Sequence, residues 1–274
     1  MLELNGAVGI VTGASRGVGP VIAEHLAEAG VRLALVARSE DGLRKTAERV
    51  RRPGREPLVV PADISDEAGQ RLVVNTVCRE LGPPELLVNN AGREHLSRFQ
   101  DASVEDIKKV ILVNLFGAEA LTRLVLPHLL SAGRGHIVTI GSVAGRTAYP
   151  YGTINCSTKH GVVGFTWSLR EELRGTGIGV SAVYPTLIAD VGISARWRAG
   201  RRPALLGQVQ PADVARAVLT CIAKNKVEMT VSPVAEKIAD VLGAVSPRLA
   251  SWIARNGGVH SYLRDVADLQ RRSR

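Results

Sequence analysis

The chain has 274 residues, 45% of them hydrophobic and 22% charged, which excludes a disordered polymer and leaves one or two globular domains. Thirty-five Lys and Arg against 26 Asp and Glu give a formal +9 at pH 7, so an anionic partner has to be weighed. That charge is patchy. Arg49, Arg51, Arg52 and Arg55 form one run, Arg196, Arg198, Arg201 and Arg202 a second, and six arginines follow Gly243. Aromatics make up only 4%, so stacking on single-stranded nucleic acid is not expected. Three cysteines, Cys78, Cys156 and Cys221, are far apart and odd in number, which argues against a disulfide framework. The first residues lack the basic-then-apolar pattern of a signal peptide, and no charge-free apolar run reaches membrane-spanning length. A cytoplasmic setting is the expectation.

Taken in chain order, residues 7–12 read as a strand, followed by a glycine-rich turn and a helix with apolar positions Val21, Ile22, His25, Leu26 and Ala29. Strand 31–37, helix 40–52, strand 57–61, helix 66–80 and strand 85–89 continue the alternation. Beyond them the pattern predicts a helix in two pieces over 103–130, strand 135–141, helix 155–174, strand 178–184, helix 211–223 and strand 227–231. Strands this uniformly apolar, alternating with helices, imply an α/β fold with a doubly wound parallel sheet covered on both faces. Residues 1–232 form that single domain, and 233–274 a helical extension. In the extension, Ile238, Val241, Leu242 and Val245 make one helical stripe. Ser246-Pro247 restarts a helix with Leu249, Trp252 and Ile253 on its apolar face, and Gly257-Gly258 ends it.

Between the first strand and the first helix stands Thr12-Gly13-Ala14-Ser15-Arg16-Gly17-Val18-Gly19. Glycines there let backbone approach a pyrophosphate, and the helix start supplies free N–H groups. The end of the second strand, Val36-Ala37-Arg38-Ser39, lacks the carboxylate that would bind the ribose 2′-hydroxyl of NAD. Arg16, Arg38 and a hydroxyl suit a 2′-phosphate instead, so NADP(H) is the expected cofactor.

The TGxxxGxG spacing resembles the short-chain dehydrogenase/reductase family over roughly residues 5–232, and further motifs fall at matching intervals. These are Asn89-Asn90-Ala91-Gly92 after the fourth strand, Asn114 in the long helix, Ser142 after the fifth strand, and Lys159 seventeen residues later. The resemblance implies that Gly13, Ser15, Arg16, Gly17, Val18 and Gly19 hold the pyrophosphate, with Arg38 at the 2′-phosphate. Asp63 and Ile64 would contact adenine, with Asn90, Ala91, Gly92, Lys159 and Pro185 lining the rest of the cofactor site. It also implies carbonyl–alcohol interconversion, with Ser142 bonding the substrate oxygen, Asn114 holding a water, and Lys159 lowering the pKa of a catalytic Tyr.

That Tyr is absent. Its position, thirteen residues after Ser142, is Asn155, which donates a hydrogen bond but exchanges no proton near pH 7. Loss of a general acid costs about 10²–10⁴-fold. Tyr151, one turn before, is a poor substitute, and Tyr149, ahead of Pro150, a poorer one. Asn155 is either an engineered change or native divergence. Thr186 in place of the family's Gly after Pro185, and Asp190 near its expected Thr, favour divergence.

The reading is therefore an NADP(H)-dependent oxidoreductase with an altered centre: Asn114, Ser142, Asn155 and Lys159. Alternatives are an NADP(H)-binding sensor or partner subunit, or a non-redox isomerase or lyase using Lys159 and Asp190. Segment 186–207 corresponds to the family's substrate lid, and its Ile188, Val191, Ile193 and Trp197 suggest a largely apolar small molecule. No metal site is expected, and Cys156 reads as a small buried thiol. The family implies a homodimer or homotetramer through helices 103–130 and 155–174. The tail, with Trp252 among arginines, allows peripheral contact with an anionic membrane, though packing is the preferred reading.

Overall fold

A computed structural model describes residues 2–191, 201–203, 206–234 and 246–272. Seven parallel strands form one sheet: β1 (Val8–Thr12), β2 (Arg32–Ala37), β3 (Leu58–Pro61), β4 (Leu86–Asn89), β5 (Gly135–Ile140), β6 (Ile178–Pro185) and β9 (Glu228–Val231). Their order is β3-β2-β1-β4-β5-β6-β9, with a separate short pair of β7 (Leu187–Ile188) and β8 (Gln208–Val209). The order reverses between β1 and β4, leaving a crevice at the carboxyl ends of the strands. Every residue of β1, β4, β5 and β6 is buried. This explains why those strands read as continuous apolar runs rather than as alternating ones.

Helices α1 (Gly19–Glu28), α2 (Glu40–Val50), α3 (Glu67–Glu80), α4 (Val104–Ile111), α5 (Gly117–Ala132), α6 (Thr153–Glu172) and α7 (Pro211–Lys224) cover the sheet. Ser39, Asp66 and Ser103 accept the backbone amides of Gly42, Gly69 and Asp106, capping α2, α3 and α4 at about 1 kcal/mol each. The core lies in two layers. Ile22, Leu26 and Leu35 pack with Val218 and Ile222 in one, and Leu87, Leu121, Val125, Leu129 and Ile137 in the other.

The two pieces expected over 103–130 are joined by a π-helical turn, Leu112–Phe116, which carries Asn114. Together they run from Val104 to Ala132, long and apolar enough by length and composition to cross a membrane, although Glu119 and Arg123 interrupt the apolar run. Leu121, Val125 and Leu129 are nevertheless buried against the sheet, as a layer of the fold requires. Helix α6 begins at Thr153, two residues earlier than anticipated.

In the extension, α8 (Pro247–Asn256) starts at the expected proline and α9 (Val259–Arg272) follows Gly257-Gly258. Val259, Tyr262, Leu263 and Val266 pack with Leu96, and with the partly buried Tyr149 and Tyr151. The expected face of α8 divides: Trp252 is exposed, while Ile253 turns into the central cleft. Ile193, Arg196, Trp197 and Arg198, the stripe Ile238, Val241, Leu242 and Val245, and the side chain of Leu249 lie outside the described residues.

Candidate active site

A cleft of about 970 Å³ runs along the carboxyl edge of the sheet. One end is made of backbone. Gly13 and Gly17 have φ of +66° and +69°, conformations that favour glycine. A Cβ on Gly13 would stand 2.8 Å from the Cα of Ala91 and 2.9 Å from Asn90 Nδ2. Val18 precedes α1 with no side chain capping that helix start, so its first amides remain free for an anion. The Thr12 hydroxyl knits this turn to the next motif. It accepts the amides of Asn90 (2.9 Å) and Ala91 (3.0 Å), while Asn90 Nδ2 donates to the Thr12 carbonyl at 2.9 Å.

Gly13, Ser15, Arg16, Gly17, Val18, Arg38, Asp63, Ile64, Asn90, Ala91, Gly92, Lys159 and Pro185 all border the cleft. Gly19 does not. Its role is steric, since a Cβ there would lie 2.2 Å from the Gly13 carbonyl oxygen. Arg38 is exposed and sits 3.6 Å from Asp63 Oδ2. Burial alone would raise the Asp63 pKa, but hydrogen bonds from the Ser65 hydroxyl and amide, and the Arg38 charge, bring it below the ordinary value.

At the other end Ser142, Asn155 and Lys159 border the same cleft. The Ser142 hydroxyl accepts the Ala144 amide at 3.2 Å. Lys159 Nζ donates to the Ile140 carbonyl at 3.1 Å. Burial pulls the Lys159 pKa down to about 8, with the Glu94 carboxylate acting in the opposite sense. Asn114 stands behind the wall. It is buried, accepts the Arg93 amide at 2.7 Å, and donates to the Arg93 carbonyl (2.8 Å) and to Thr158 Oγ1 (3.2 Å). In this arrangement it clamps the chain after Gly92 to α6.

Three groups at this end stand where the sequence reading did not put them. Tyr149 borders the cleft although it is not helical, and Asn155 Nδ2 donates to its hydroxyl at 2.7 Å. Gly152 makes this possible, because a Cβ there would lie 2.0 Å from the Tyr149 ring. Burial, Glu94 and Cys156 push the Tyr149 pKa well above its ordinary value, against the pull of the Asn155 hydrogen bond. Glu94 is the second group, a carboxylate on the cleft wall. The third is the extension, whose Ile253, Ala254, Val259 and Leu263 border the cleft together with Ile188, Val191 and Leu206, the last packed against the Val259 and Leu263 cluster. The Tyr-Pro-Tyr-Gly run held a signal for the first, since a Gly after bulky residues leaves room for a ring. Nothing in the sequence places the extension over the cleft.

Other expectations shift. Tyr151 does not border the cleft; its φ is +66°, and its carbonyl accepts the Ser97 amide at 3.0 Å. Asp190 is exposed, also at positive φ, and does not border the cleft, which removes the geometric basis for pairing it with Lys159. Thr186 is buried and borders the cleft. Cys156 is a buried free thiol whose pKa is raised by that burial.

A glycine turn at the sheet's switch point, leading along one cleft to Ser142 and Lys159, defines a dinucleotide-binding dehydrogenase. The short chain dehydrogenase family model matches residues 7–202, and the chain belongs to that family. It is similar to the ketoacyl reductase HetN of Nostoc sp., 33% identical over 264 residues that cover 94% of this chain and 92% of that protein. Among solved structures, it resembles a 3-ketoacyl-(acyl-carrier-protein) reductase from Brucella melitensis complexed with NADH. The TM-score is 0.77 at 25% identity, over 85% of this chain and 99% of the other. A metagenomic short-chain oxidoreductase in complex with NADP gives 0.71 at 29%, over 84% and 98%.

Proposed function

We propose that the chain is an NADP(H)-dependent oxidoreductase that interconverts an apolar carbonyl compound and its secondary alcohol from an altered catalytic centre. The observation that carries this is the convergence of Ser142, Asn155 and Lys159 on the cleft whose far end holds the glycine turn. The cradle fits a dinucleotide, because Gly13 and Gly17 make a left-handed turn bordering the cleft and no side chain caps the start of α1. Arg16 and Arg38 border the adenosine end, with no carboxylate at the close of β2, which supports a 2′-phosphate.

The bound nicotinamide supplies a hydride to the carbonyl carbon. Ser142 orients the carbonyl oxygen, Lys159 holds the cofactor ribose and carries positive charge, and the Ile188, Val191, Leu206 and Ile253 wall excludes water. Asn155 holds a hydrogen bond but moves no proton. The apolar Ile111, Leu112, Phe116 and Trp167 are exposed on the α4–α6 face, which supports a homo-oligomer joined there.

Two measurements test this reading. NADPH should bind more tightly than NADH, and a panel of apolar ketones should consume NADPH. With Lys159 lowered to about 8, the cation is present below that pH and lost above it, so reduction should fall as pH rises through 8. Equal affinity for both cofactors removes the role of Arg16 and Arg38. A second reading, an NADP(H)-binding protein without turnover, rests on Asn155 alone; it predicts binding with no consumption for any ketone.

A further inference from the structure

We propose that Tyr149 is the proton donor of this site, reaching from the loop before α6 to the place that a phenol at position 155 would fill. The inference rests on the oxidoreductase reading above and adds a residue that its family motif does not contain.

Three observations carry it. First, the Tyr149 hydroxyl lies 2.7 Å from Asn155 Nδ2, one hydrogen bond beyond the end of a short side chain. That extends residue 155 to about the reach of the aromatic ring it lacks. Second, in that contact the amide donates and the phenol oxygen accepts. The phenol therefore keeps its own O–H proton to give elsewhere, and its anion would be met by an N–H donor already in place. Third, the placement is built in. Gly152 provides the space for the ring, and Tyr149 packs against the cluster formed by Leu96, Tyr262 and Leu263.

The other candidates on this wall are less suited. Glu94 acts on Tyr149 and Lys159 as a negative charge, raising the pKa of both, which is the part of an acceptor and not of a donor. Lys159 Nζ is engaged by the Ile140 carbonyl. Tyr151, in the left-handed conformation, is off the cleft. Asn155 thereby becomes a positioning residue that holds one phenol in place of another.

The step balances as follows. The carbonyl carbon receives the hydride, the C–O π pair moves onto oxygen, and that oxygen takes the Tyr149 proton, leaving a secondary alcohol and a phenolate. A proton from solvent restores the phenol. Net consumption is one ketone, one NADPH and one proton. Burial keeps the phenol protonated at neutral pH, and the Asn155 amide acts in the opposite sense, easing loss of the proton.

The experiment compares the full chain with Tyr149→Phe, Asn155→Tyr and the double variant. NADPH consumption is followed with apolar ketones, an activated aromatic diketone among them. Phe keeps the ring against Gly152, and melting curves with NADPH binding check that each variant folds. Tyr149→Phe should lose about 10²–10⁴-fold in kcat with NADPH binding unchanged, and adding Asn155→Tyr should restore it.

A second readout needs no turnover. With tyrosine isotopically labelled at the oxygen-bearing ring carbon, the resonance missing in Tyr149→Phe should shift when the unreduced ketone binds beside NADP⁺. It should also titrate at higher pH in Asn155→Leu. Full activity in Tyr149→Phe overturns the proposal while the reductase reading stands. A silent full chain that Asn155→Tyr awakens also overturns it, and marks a disabled reductase. Silence in all four, with NADPH bound, overturns both.

Discussion

The two ends of the cleft are made in different ways. At the end beside α1 the contact surface combines the backbone of one turn, whose Gly13 and Gly17 take positive φ, with the side chains of Arg16, Arg38 and Asp63. At the carbonyl end it is side chains, drawn from the chain after β4 (Glu94), the loop and helix after β5 (Ser142, Tyr149, Asn155, Lys159) and the extension (Ile253, Val259, Leu263). The second brings together side chains from distant parts of the chain, with Asn155 hydrogen-bonded to Tyr149.

Three substitutions test that contrast, in falling order of effect. Gly19→Val should be the most damaging, since its Cβ meets the Gly13 carbonyl and Asn90 Nδ2, and both are fixed. Overpacking of this kind costs about 3 kcal/mol or more, read as a lowered Tm together with lost NADPH binding. A fully stable, NADPH-binding Gly19→Val would show that the turn is not sterically set. Next, Arg38→Gln removes one charge-assisted contact and should weaken NADPH by roughly 10–100-fold, with NADH little altered, by isothermal titration. The smallest effect belongs to Ile253→Ala, which trims the apolar wall. KM for apolar ketones should rise by about tenfold, while the Kd for NADPH stays where it was. If Ile253→Ala changed both equally, the two ends would not be independent.

What was legible in the sequence follows the same division. Sheet strands show as continuous apolar runs because both faces are covered, and the Gly13–Gly19 turn shows because only glycine fits its backbone. The vacant phenol position was equally plain, since Ser142, residue 155 and Lys159 are fixed by spacing along one loop and one helix. Tyr149 was not. Local conformational preference before Pro150 correctly kept it out of the helix, but a residue outside a helix can still lean on it, and here its hydroxyl reaches the Asn155 amide. Glu94 and the α8–α9 wall depend on long-range packing, which periodicity does not report.

The charge excess divides likewise. Arg49 pairs with Glu24, Arg52 with Glu28, and Arg55 donates to the Gly30 carbonyl, so this run fastens α1 to the chain after α2. Arg271 lies 3.5 Å from Asp101. In each case a basic patch in the sequence is partly a set of struts in the fold.

The packing of α9 on Leu96 and Tyr149 also has a temporal meaning. Synthesis runs from N to C, so the glycine turn is made before α9, the helix that borders the other end of the cleft. During synthesis the growing chain therefore has the makings of a nucleotide cradle well before it can shelter a substrate. Nucleotide engaged early would meet an open, wet reaction centre until α9 docks.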